Sequence, residues 1–347
     1  MANRKDVAEK AKVSMTVVSR VMNNTGYVSG EKREAVLKAA EALNYRPSPV
    51  ARSLKRGQTR QILFYRGDLS NTYYIELHRG MIDYAEKMGY LVYISGNLPI
   101  ERIGSLMMDG IILPSEAYAR PEYLGYLRKY RMPYVVIGYG DYIPKNVYSV
   151  TVDTGLAMGE IMAYLKGKGH RRIAFANGHG YNNNLVESRY AAFRAMMEPV
   201  YKTRLEQYIL STPETIREAN DDLYRIGSMA ADLFVERKLD ATAVVSFDDD
   251  VAAGFYHRIH RLGRRIPEDI SVASFDGLAS GEYMSPPLTS MGLNPFEHGK
   301  KCVEVIVAML QGKKPGYRHR IGFSLVERES VRTLGQTEKI NNRRASI

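Results

Sequence analysis

The sequence predicts a small all-α headpiece that contains a helix-turn-helix, followed by a larger α/β core with two lobes. Three segments within residues 1–46 place apolar residues at helical spacing, whereas short apolar strands alternate with amphipathic helices from residue 61 onward. Such alternation is typical of parallel sheets covered by helices. Because the chain has 347 residues and many predicted strands, two α/β subdomains suit it better than one sheet.

The first two predicted helices form the helix-turn-helix. Residues 4–11 carry three apolar side chains at helical spacing: Val7, Ala8 and Ala11. A short turn leads to Ser14, a residue type that favours the N-cap position of a helix. The second helix then directs a further apolar set inward: Val17, Val18 and Val21. Two helices joined in this way are typical of proteins that insert the second helix into a major groove.

Polar and flexible side chains occupy the opposite face of the second helix. Arg20 can offer a planar fork to a guanine, Thr16 a hydroxyl and a methyl group, and Met15 an apolar contact to a thymine methyl. Ser14 and Ser19 suit phosphate contacts, which set the register of a protein on DNA. Two alternatives stay open: Arg20 contacts only phosphate, or the headpiece is a small helical domain without a DNA role.

A third helix and a basic hinge complete the N-terminal region. Residues 28–44 form the third predicted helix, with Ser29 as its N-cap and four residues on its apolar face: Val36, Leu37, Ala40 and Leu43. Pro49 suits the first position of a short hinge helix. The predicted organisation is therefore a headpiece over 1–46, a hinge helix and linker over 47–60, a two-lobed core over 61–331, and a disordered tail over 332–347.

The positive charge of the chain is concentrated in the headpiece and hinge. The net charge is +11, and residues 1–60 hold 13 Lys and Arg against five Asp and Glu. The remaining 287 residues hold 36 against 33. A local excess of this kind indicates a phosphate-binding module, whereas a generally basic, membrane-seeking protein would spread its charge.

Several other classes of protein are disfavoured by the sequence. The polar start and the lack of an apolar run of about 18 residues argue against secretion and membrane insertion, so we expect a cytoplasmic protein. The single cysteine, Cys302, excludes an internal disulfide and suits a small apolar position. No nucleophile elbow, P-loop or dinucleotide fingerprint is present, and His257 and His260 lack an evident third ligand. We therefore expect no enzyme activity, no cofactor and no metal site.

Strands and helices are predicted in alternation along the core. The strands are expected near residues 61–66, 90–95, 110–113, 134–138, 147–152, 172–176, 242–247, 270–275, 288–292 and 319–326. The helices are expected near residues 74–88, 121–131, 154–168, 186–198, 222–237, 250–262 and 296–311.

Specific segments of the chain resemble the lactose/galactose repressor family. The headpiece and hinge carry Arg4-Lys5-Asp6-Val7-Ala8, Val18-Ser19-Arg20-Val21, Tyr45-Arg46-Pro47 and Ala51-Arg52-Ser53-Leu54. The core carries Gly169-His170-Arg171-Arg172, Ile266-Pro267-Glu268-Asp269-Ile270, Pro286-Pro287-Leu288-Thr289 and Leu325-Val326-Glu327-Arg328. The resemblance implies a core like that of periplasmic sugar-binding proteins. Its N-lobe would span roughly 61–160 plus a segment near 290–320, and its C-lobe roughly 161–289 plus the final strand.

The resemblance also assigns roles to the hinge and implies a homodimer. Hinge helices of two subunits would pair in the minor groove, with Ala51, Arg52, Leu54 and Lys55 as DNA-binding residues and Leu54 wedged between base pairs. The alternative is that Leu54 packs on its own lobe. A two-fold dimer implies a pseudo-palindromic operator in double-stranded DNA. A helix this short is marginal in water, so effector-driven changes in the lobes would control its formation.

The effector cleft is predicted beyond the carboxyl ends of the core strands. The candidate effector-binding residues are Asn71, Tyr73, Tyr139, Arg189, Phe247, Asp248 and Asp276. Arg189 and Asp276 match the ligand-binding arginine and aspartate of the family. Asp248 stands where the family commonly has asparagine, and Thr72 where it often has proline. Two alternatives stay open: Tyr73 serves only packing, and Asp248 with its two aspartate neighbours only supplies charge to a helix N-terminus.

Two further features bear on assembly. Only twelve residues separate Gly96 from Asp109, where the family usually has a full helix near the dimer contact. The tail carries no leucine heptad, so a dimer is favoured over a tetramer.

The sequence thus predicts an effector-controlled, sequence-specific DNA-binding regulator. The favoured form is a repressor of carbohydrate-use genes that a sugar or sugar derivative releases from DNA. A regulator co-repressed by a purine or a protein is the alternative within the family. A cytoplasmic sugar-binding or sugar-converting protein is the alternative from another class.

Overall fold

The computed structural model of the chain describes residues 2–46, 57–66, 71–96, 105–140, 143–178, 188–219 and 222–335. These residues form two units that divide between Arg60 and Gln61. The predicted hinge contacts at residues 51, 52, 54 and 55 lie outside the described residues, as do the short segment 97–104 and the tail from residue 336.

Side-chain caps start the first two helices of the headpiece. Helix α1 (Arg4–Lys10) begins at Asn3, whose Oδ1 accepts the backbone N–H of Lys5 at 2.8 Å, while Asp6 accepts the N–H of Asn3 at 2.8 Å. Helix α2 (Met15–Asn23) begins at Ser14, whose Oγ accepts the N–H of Val17 at 3.3 Å. Helix α3 (Gly30–Ala42) is shorter than the predicted 28–44.

One apolar cluster holds the three helices together. It consists of Val7, Ala8, Val18, Val21, Val36, Ala39 and Ala40. The prediction that Leu37 faces inward is wrong, because this side chain is 50% exposed. Positions 36, 39 and 40 share one face of a helix, and a step of one residue rotates Leu37 by about 100° away from it.

The core contains two separate sheets. The sheet of the N-lobe consists of β1 (Gln61–Tyr65), β2 (Leu91–Ser95), β3 (Gly110–Pro114), β4 (Tyr134–Tyr139), β5 (Ser149–Val152) and β10 (Arg318–Ile321), in the parallel order β10-β5-β4-β3-β1-β2. The sheet of the C-lobe consists of β6 (Ile173–Ala176), β7 (Ala243–Ser246), β8 (Ser271–Asp276), β9 (Thr289–Gly292) and β11 (Ser324–Val326). Its order is β11-β9-β8-β7-β6, and only β11 runs antiparallel. The predicted fold class is confirmed.

Helices follow the strands as the alternation predicts. They are α4 (Thr72–Lys87), α5 (Ser115–Tyr118), α6 (Pro121–Lys129), α7 (Thr154–Gly167), α8 (Ser188–Tyr201), α9 (Pro213–Ala219), α10 (Leu223–Glu236), α11 (Asp249–Arg261) and α12 (Pro295–Leu310). The seven predicted helices are present within a few residues of their expected bounds. Helices α5 and α9 were not predicted, because one or two turns are too short to show a helical period.

The chain crosses between the lobes at different places from those predicted. Helix α7 packs on α8 and β11, so the first crossing lies at Asp153 instead of near residue 160. Strand β9 belongs to the C-lobe, so the second crossing follows Gly292. The single strand predicted over 319–326 is two strands in different sheets, and the third crossing lies between Ile321 and Ser324. Two residues, Gly322 and Phe323, join these strands, so the sequence reads them as one strand and only their pairing separates them.

Glycines allow helices to pack closely in both lobes. In the N-lobe a Cβ on Gly299 of α12 would lie 1.8 Å from the carbonyl oxygen of Leu77 in α4. In the C-lobe a Cβ on Gly227 of α10 would lie 1.9 Å from the carbonyl oxygen of Val251 in α11. Neither backbone carbonyl can rotate out of the way without breaking its helix.

We predict that Gly299→Ala lowers the free energy of unfolding of the core by about 1–3 kcal/mol or more, because the new methyl group forces the two helices apart. The matched control is Gly125→Ala in the middle of α6, where nothing lies within 4 Å of the new Cβ. This control removes backbone freedom without a clash and is expected to stabilise the protein by up to about 1 kcal/mol. Urea unfolding of both variants checks the prediction, and equal midpoints would contradict it.

Other single residues also have structural roles. Cys302 is buried in α12 as a free thiol, and burial raises the pKa of that thiol. His170 is hydrogen-bonded through both ring nitrogens, at 2.9 Å to Thr242 Oγ1 and 3.0 Å to the carbonyl oxygen of Arg332. Within the described ranges no helix combines the length and apolar character needed to span a membrane.

Candidate functional site

The exposed face of α2 carries the side chains predicted to contact DNA. Val18 and Val21 turn into the headpiece core, while Ser14, Thr16 and Arg20 are exposed and Met15 is 55% exposed. This separation follows from the helical period, because the buried and exposed residues differ by about half a turn.

Three of these polar residues already have local interactions. Ser14 accepts the cap hydrogen bond through its oxygen, so its hydroxyl hydrogen stays available as a donor. The Oγ of Ser19 accepts from the side-chain amide of Asn23 at 3.2 Å and is half-buried. The stem of Arg20 lies beside Gly26, where a Cβ would be 3.5 Å from its Cδ. Gly26 has φ +66°, and Arg20 remains exposed despite this neighbour.

One aromatic residue of the headpiece was not singled out by the sequence. Tyr27 follows the turn after α2 and is 89% exposed, the highest exposure among the large apolar side chains of the described residues. Its side chain does not belong to the headpiece cluster. A sequence pattern that scores only helical faces misses it, because it lies between helices.

In the core, the N-termini of two helices from opposite lobes meet at the cleft. The side chain of Asn71 caps α4 by accepting the N–H of Tyr73 at 2.8 Å and donates through Nδ2 to Asp248 at 3.1 Å. Asp248 in turn caps α11 by accepting the N–H of Val251 at 2.8 Å. Two residues predicted to bind an effector therefore join the N-lobe to the C-lobe directly.

A second connection between the lobes lies beside the first and was not predicted. Asp250 accepts the backbone N–H of Thr72 at 3.1 Å, its hydroxyl at 3.2 Å, and the hydroxyl of Tyr224 at 2.9 Å. Proline at position 72 would have neither of these two donors, so the residue that departs from the family pattern makes this contact possible. In the sequence, the only indication of this contact was the threonine at position 72 in place of the proline that the family often has.

The three successive aspartates have different partners. Asp248 and Asp250 face the N-lobe, whereas Asp249 points into the C-lobe, where it accepts the N–H of Leu278 at 2.8 Å and the hydroxyl of Ser290 at 2.8 Å. They therefore do more than supply charge to the N-terminus of α11. Asp249 ties the helix to the sheet, and the other two connect the lobes.

Arg189 and Phe247 form one unit at the floor of the cleft. The guanidinium donates to the carbonyl oxygen of Phe247 at 2.7 Å and lies 3.6 Å from the centre of its ring. Phe275 lies on another side, 5.6 Å from the guanidinium carbon. Both Arg189 and Phe247 are buried. Stacking on the rings holds the guanidinium in one plane, which suits paired hydrogen bonds to a ligand.

Asp276 ends strand β8 and has an unusual environment. Its backbone has φ +102°, a conformation that costs an L-residue about 1–3 kcal/mol. Its carbonyl oxygen accepts the N–H of Leu293 at 3.2 Å, but its carboxylate has no hydrogen bond to the described residues, although the residue is only 5% exposed. A strained residue whose carboxylate has no donor among the described residues is a strong candidate for ligand binding.

Tyr73 and Tyr139 form an aromatic wall on the N-lobe side. The hydroxyl of Tyr73 donates to Nδ1 of His298 at 3.0 Å, since Nε2 of the same ring donates to the carbonyl oxygen of Val150 at 3.0 Å. Burial lowers the pKa of His298 to about 4, so this imidazole is neutral. The ring of Tyr139 meets Tyr73 edge to face at 5.8 Å. The hydroxyl of Tyr73 is thus hydrogen-bonded within the N-lobe, so the part of Tyr73 that can contact a ligand is its ring.

Burial and mutual repulsion raise the pKa values of the cleft carboxyl groups. Burial, with a smaller contribution from the charge of Asp250, raises the pKa of Asp248 to about 7, although the hydrogen bond from the Val251 N–H and the Arg189 guanidinium both lower it. Burial likewise raises the pKa of Asp276, with a second contribution from the charge of Asp248. Burial raises the pKa of Asp249 to about 6 against the hydrogen bonds it accepts.

We predict that Asp248→Asn stabilises the protein increasingly as the pH rises. A carboxyl group whose pKa is raised on folding does not lower the free energy of unfolding below its unfolded pKa near 4. Its destabilising effect grows as the pH rises and becomes constant above the folded pKa near 7. The difference between variant and native protein should grow by at most about 1.4 kcal/mol per pH unit in that window and then level off. Unfolding curves at pH 5, 6, 7 and 8 measure it, and parallel profiles would refute it.

The structure brings all seven predicted effector residues to this one region. Asn71 contacts Asp248, Arg189 contacts Phe247, Tyr139 contacts Tyr73, and Asp276 interacts electrostatically with Asp248. Sequence reasoning missed Thr72, Tyr224, Asp250 and His298 as cleft residues. Over the parts of the chain that are described, no group of His, Cys, Asp and Glu has a metal-binding arrangement.

Comparison with known proteins relates both units to one type of protein. Residues 4–48 match the family model "Bacterial regulatory proteins, lacI family", and residues 162–331 match the model "Periplasmic binding protein-like domain". The HTH-type transcriptional repressor PurR of Vibrio cholerae serotype O1 is 31% identical over 346 residues, which cover 96% of this chain and 99% of that protein. The ribose operon repressor of Halalkalibacterium halodurans is 29% identical over 342 residues, which cover 96% and 98%.

Solved structures have the same fold. The Lac repressor dimer bound to operator and the anti-inducer ONPF matches with a TM-score of 0.74 and 22% identity, over 95% of this chain and 99% of that one. The complex of the transcriptional regulator CelR with cellobiose matches with a TM-score of 0.66 and 23% identity, over 95% and 100%.

Proposed function

The chain belongs to the LacI family of bacterial regulatory proteins, and from this premise we propose that it represses transcription by binding a pseudo-palindromic operator as a homodimer and that a small carbohydrate releases it. As a DNA-binding regulator it acts in the cytoplasm. Met15, Thr16 and Arg20 would read base edges, and Ser14 and Ser19 would contact phosphates. The hinge residues Ala51, Arg52, Leu54 and Lys55 would hold the minor groove.

The observation that carries the effector proposal is the convergence of polar groups from both lobes at one point. Asn71 from the N-lobe and Asp248 from the C-lobe already share a hydrogen bond there, and Arg189 and Asp276 lie against the same carboxylate. A ligand that enters between them exchanges contacts with both lobes at once. Its binding energy therefore acts on the angle between the lobes.

A carbohydrate suits these residues for two reasons. Carboxylates and a guanidinium each offer paired hydrogen bonds, which match vicinal hydroxyl groups. Aromatic rings at Tyr73, Tyr139 and Phe247 supply apolar surface for the faces of a sugar ring. One relative is named a ribose operon repressor and one structural neighbour contains cellobiose, which supports the same class of ligand.

The switch would work through the chain crossings between the lobes. The crossings at Asp153, after Gly292 and after Ile321 allow the lobes to move as rigid bodies, while the contacts of Asp248 and Asp250 hold them together. A ligand with different affinities for two lobe arrangements shifts their populations. We propose that this shift determines whether the hinge at residues 47–60 forms on DNA.

The test is the binding of the full-length protein to the pseudo-palindrome nearest its own gene, measured by fluorescence anisotropy at fixed salt. Addition of sugars, amino sugars, sugar phosphates and purines, one at a time, should identify a carbohydrate that weakens the complex. Binding that requires an added purine would replace induction with co-repression. A folded protein that binds no such DNA would overturn the proposal.

A further inference from the structure

The charged side chains of the cleft are unequal in number. Among the described residues, three carboxylates face the space between the lobes: Asp248, Asp250 and Asp276. The positive charge near them is the Arg189 guanidinium, which also donates a hydrogen bond to the carbonyl oxygen of Phe247. The next cation, Arg66, stacks 4.0 Å from the ring centre of Tyr74 and lies 3.9 Å from the Glu116 carboxylate.

The neutral groups around the carboxylates do not correct this imbalance. His298 is an uncharged imidazole that is hydrogen-bonded through both nitrogens within the N-lobe. Asn71 and the N–H of Thr72 supply dipoles but no charge. Asp276 receives no hydrogen bond from the described residues, and it shares the Arg189 guanidinium with Asp248, although 95% of its surface is buried. A carboxylate without a donor among these residues is available to accept hydrogen bonds from a ligand.

We propose that the effector is an amino sugar, a polyhydroxyl ring that carries a protonated amine, and that the cleft rejects phosphorylated and carboxylated sugars. The inference rests on the proposed function and names the ligand class of the same site. The ammonium group would lie between Asp248 and Asp276 and donate to the Asp276 carboxylate, which has no donor among the described residues. The ring hydroxyls would lie against Arg189. A phosphate in the same place would face three carboxylates with only one guanidinium to balance it.

Asp248 is the residue that decides the preference. Its two oxygens accept from Val251 and Asn71, and asparagine at this position would keep one acceptor for the helix cap while removing the charge. Asp250 and Asp276 would then face Arg189, so the site would lose one of its three negative charges and its attraction for a cation would fall. The additional aspartate therefore changes the charge of the site without changing its shape.

Proton linkage follows from the same geometry. Among the described residues, the charged and titratable groups around Asp248 are Asp249 and Asp250 on α11, Asp276 at the end of β8, Arg189 on α8 and Tyr224 on α10. Burial raises the pKa of Asp248 to about 7, so at pH 5 it is protonated and attracts no cation. Binding of an amine should therefore tighten as the pH rises from about 5 to 7, while binding of an uncharged sugar should not.

The experiment is isothermal titration calorimetry of the full-length protein with matched sets of probes. Each set contains one amino sugar (glucosamine, galactosamine or mannosamine), its N-acetyl derivative, the parent sugar and the 6-phosphate of the parent. We expect one amine to bind about tenfold or more tightly than its N-acetyl derivative and parent, and the phosphate not to bind. Asp248→Asn should remove most of that preference and its pH dependence.

Asp83→Asn is the matched control. Asp83 is on α4, away from the cleft, and pairs with Lys87 at 2.7 Å, so the same change of charge there should leave the preference intact. Three results would overturn the inference: a neutral or phosphorylated sugar that binds more tightly than its amine, no binding of any amine, or an unchanged preference in Asp248→Asn. If a neutral sugar released the protein from the operator, only the inference would be overturned. If the folded protein did not bind an operator at all, the proposed function would be overturned.

Discussion

Replacing Arg20 by alanine is expected to weaken operator binding by about 30-fold to 10⁴-fold. A bidentate contact between arginine and guanine contributes about 1–3 kcal/mol of discrimination, and a symmetric dimer would use the residue once in each half-site, for about 2–6 kcal/mol. Arg20 is exposed on α2 and its stem rests beside Gly26, so its removal leaves the headpiece core intact. Anisotropy titrations with the operator and with unrelated DNA measure the loss.

The comparison of the two DNAs separates the two roles that the sequence allows for Arg20. If Arg20 reads a base, Arg20→Ala loses affinity for the operator and little for unrelated DNA. If it contacts only phosphate, both affinities fall alike and the dependence on salt becomes weaker. Lys38→Ala is the matched control, because Lys38 is an exposed cation on α3 that pairs with Glu34 at 2.7 Å. An operator affinity unchanged by Arg20→Ala would refute both roles.

Replacing Arg189 by methionine is expected to abolish the response to the effector while the free protein still binds DNA. The guanidinium makes charge-assisted hydrogen bonds that contribute about 1.5–3 kcal/mol each, so the loss of two would weaken ligand binding by about 100-fold or more. Arg189 also holds down the pKa values of Asp248 and Asp276. Without it both carboxyl groups take up protons more readily, which removes the charge that an ammonium group would need.

Arg194→Met provides the comparison for this variant. Arg194 lies on the same helix, α8, and its guanidinium pairs with Glu206 and Tyr190 instead of facing the cleft. Calorimetry should show native ligand affinity for Arg194→Met and almost none for Arg189→Met. Equal affinities in the two variants would remove Arg189 from the effector site.

The sequence by itself determined the elements of this fold, because their signals are local. The helical spacing of Val18 and Val21, the cap at Ser14 and the alternation of strands and helices each depend on residues within a few positions of one another. The prediction that Leu37 is buried was wrong for the same reason. Apolar residues close together in the sequence do not determine which side of a helix packs against the other helices. Most of the cleft residues were named because the carboxyl ends of parallel strands face one edge of a sheet, whereas Arg189 and Asp276 were named from the resemblance to the family.

Only the tertiary structure decided which residues connect the lobes and what charge the cleft carries. Thr72 and Asp250 are 178 positions apart, and Tyr73 and His298 are 225 apart, so no local pattern reports their contacts. The same holds for β10 and β11, which only two residues separate but which pair in different sheets. Hydrogen bonds and burial depend on what the fold brings next to a side chain. The three successive aspartates could therefore be counted in the sequence, but their separate partners came only from the folded chain.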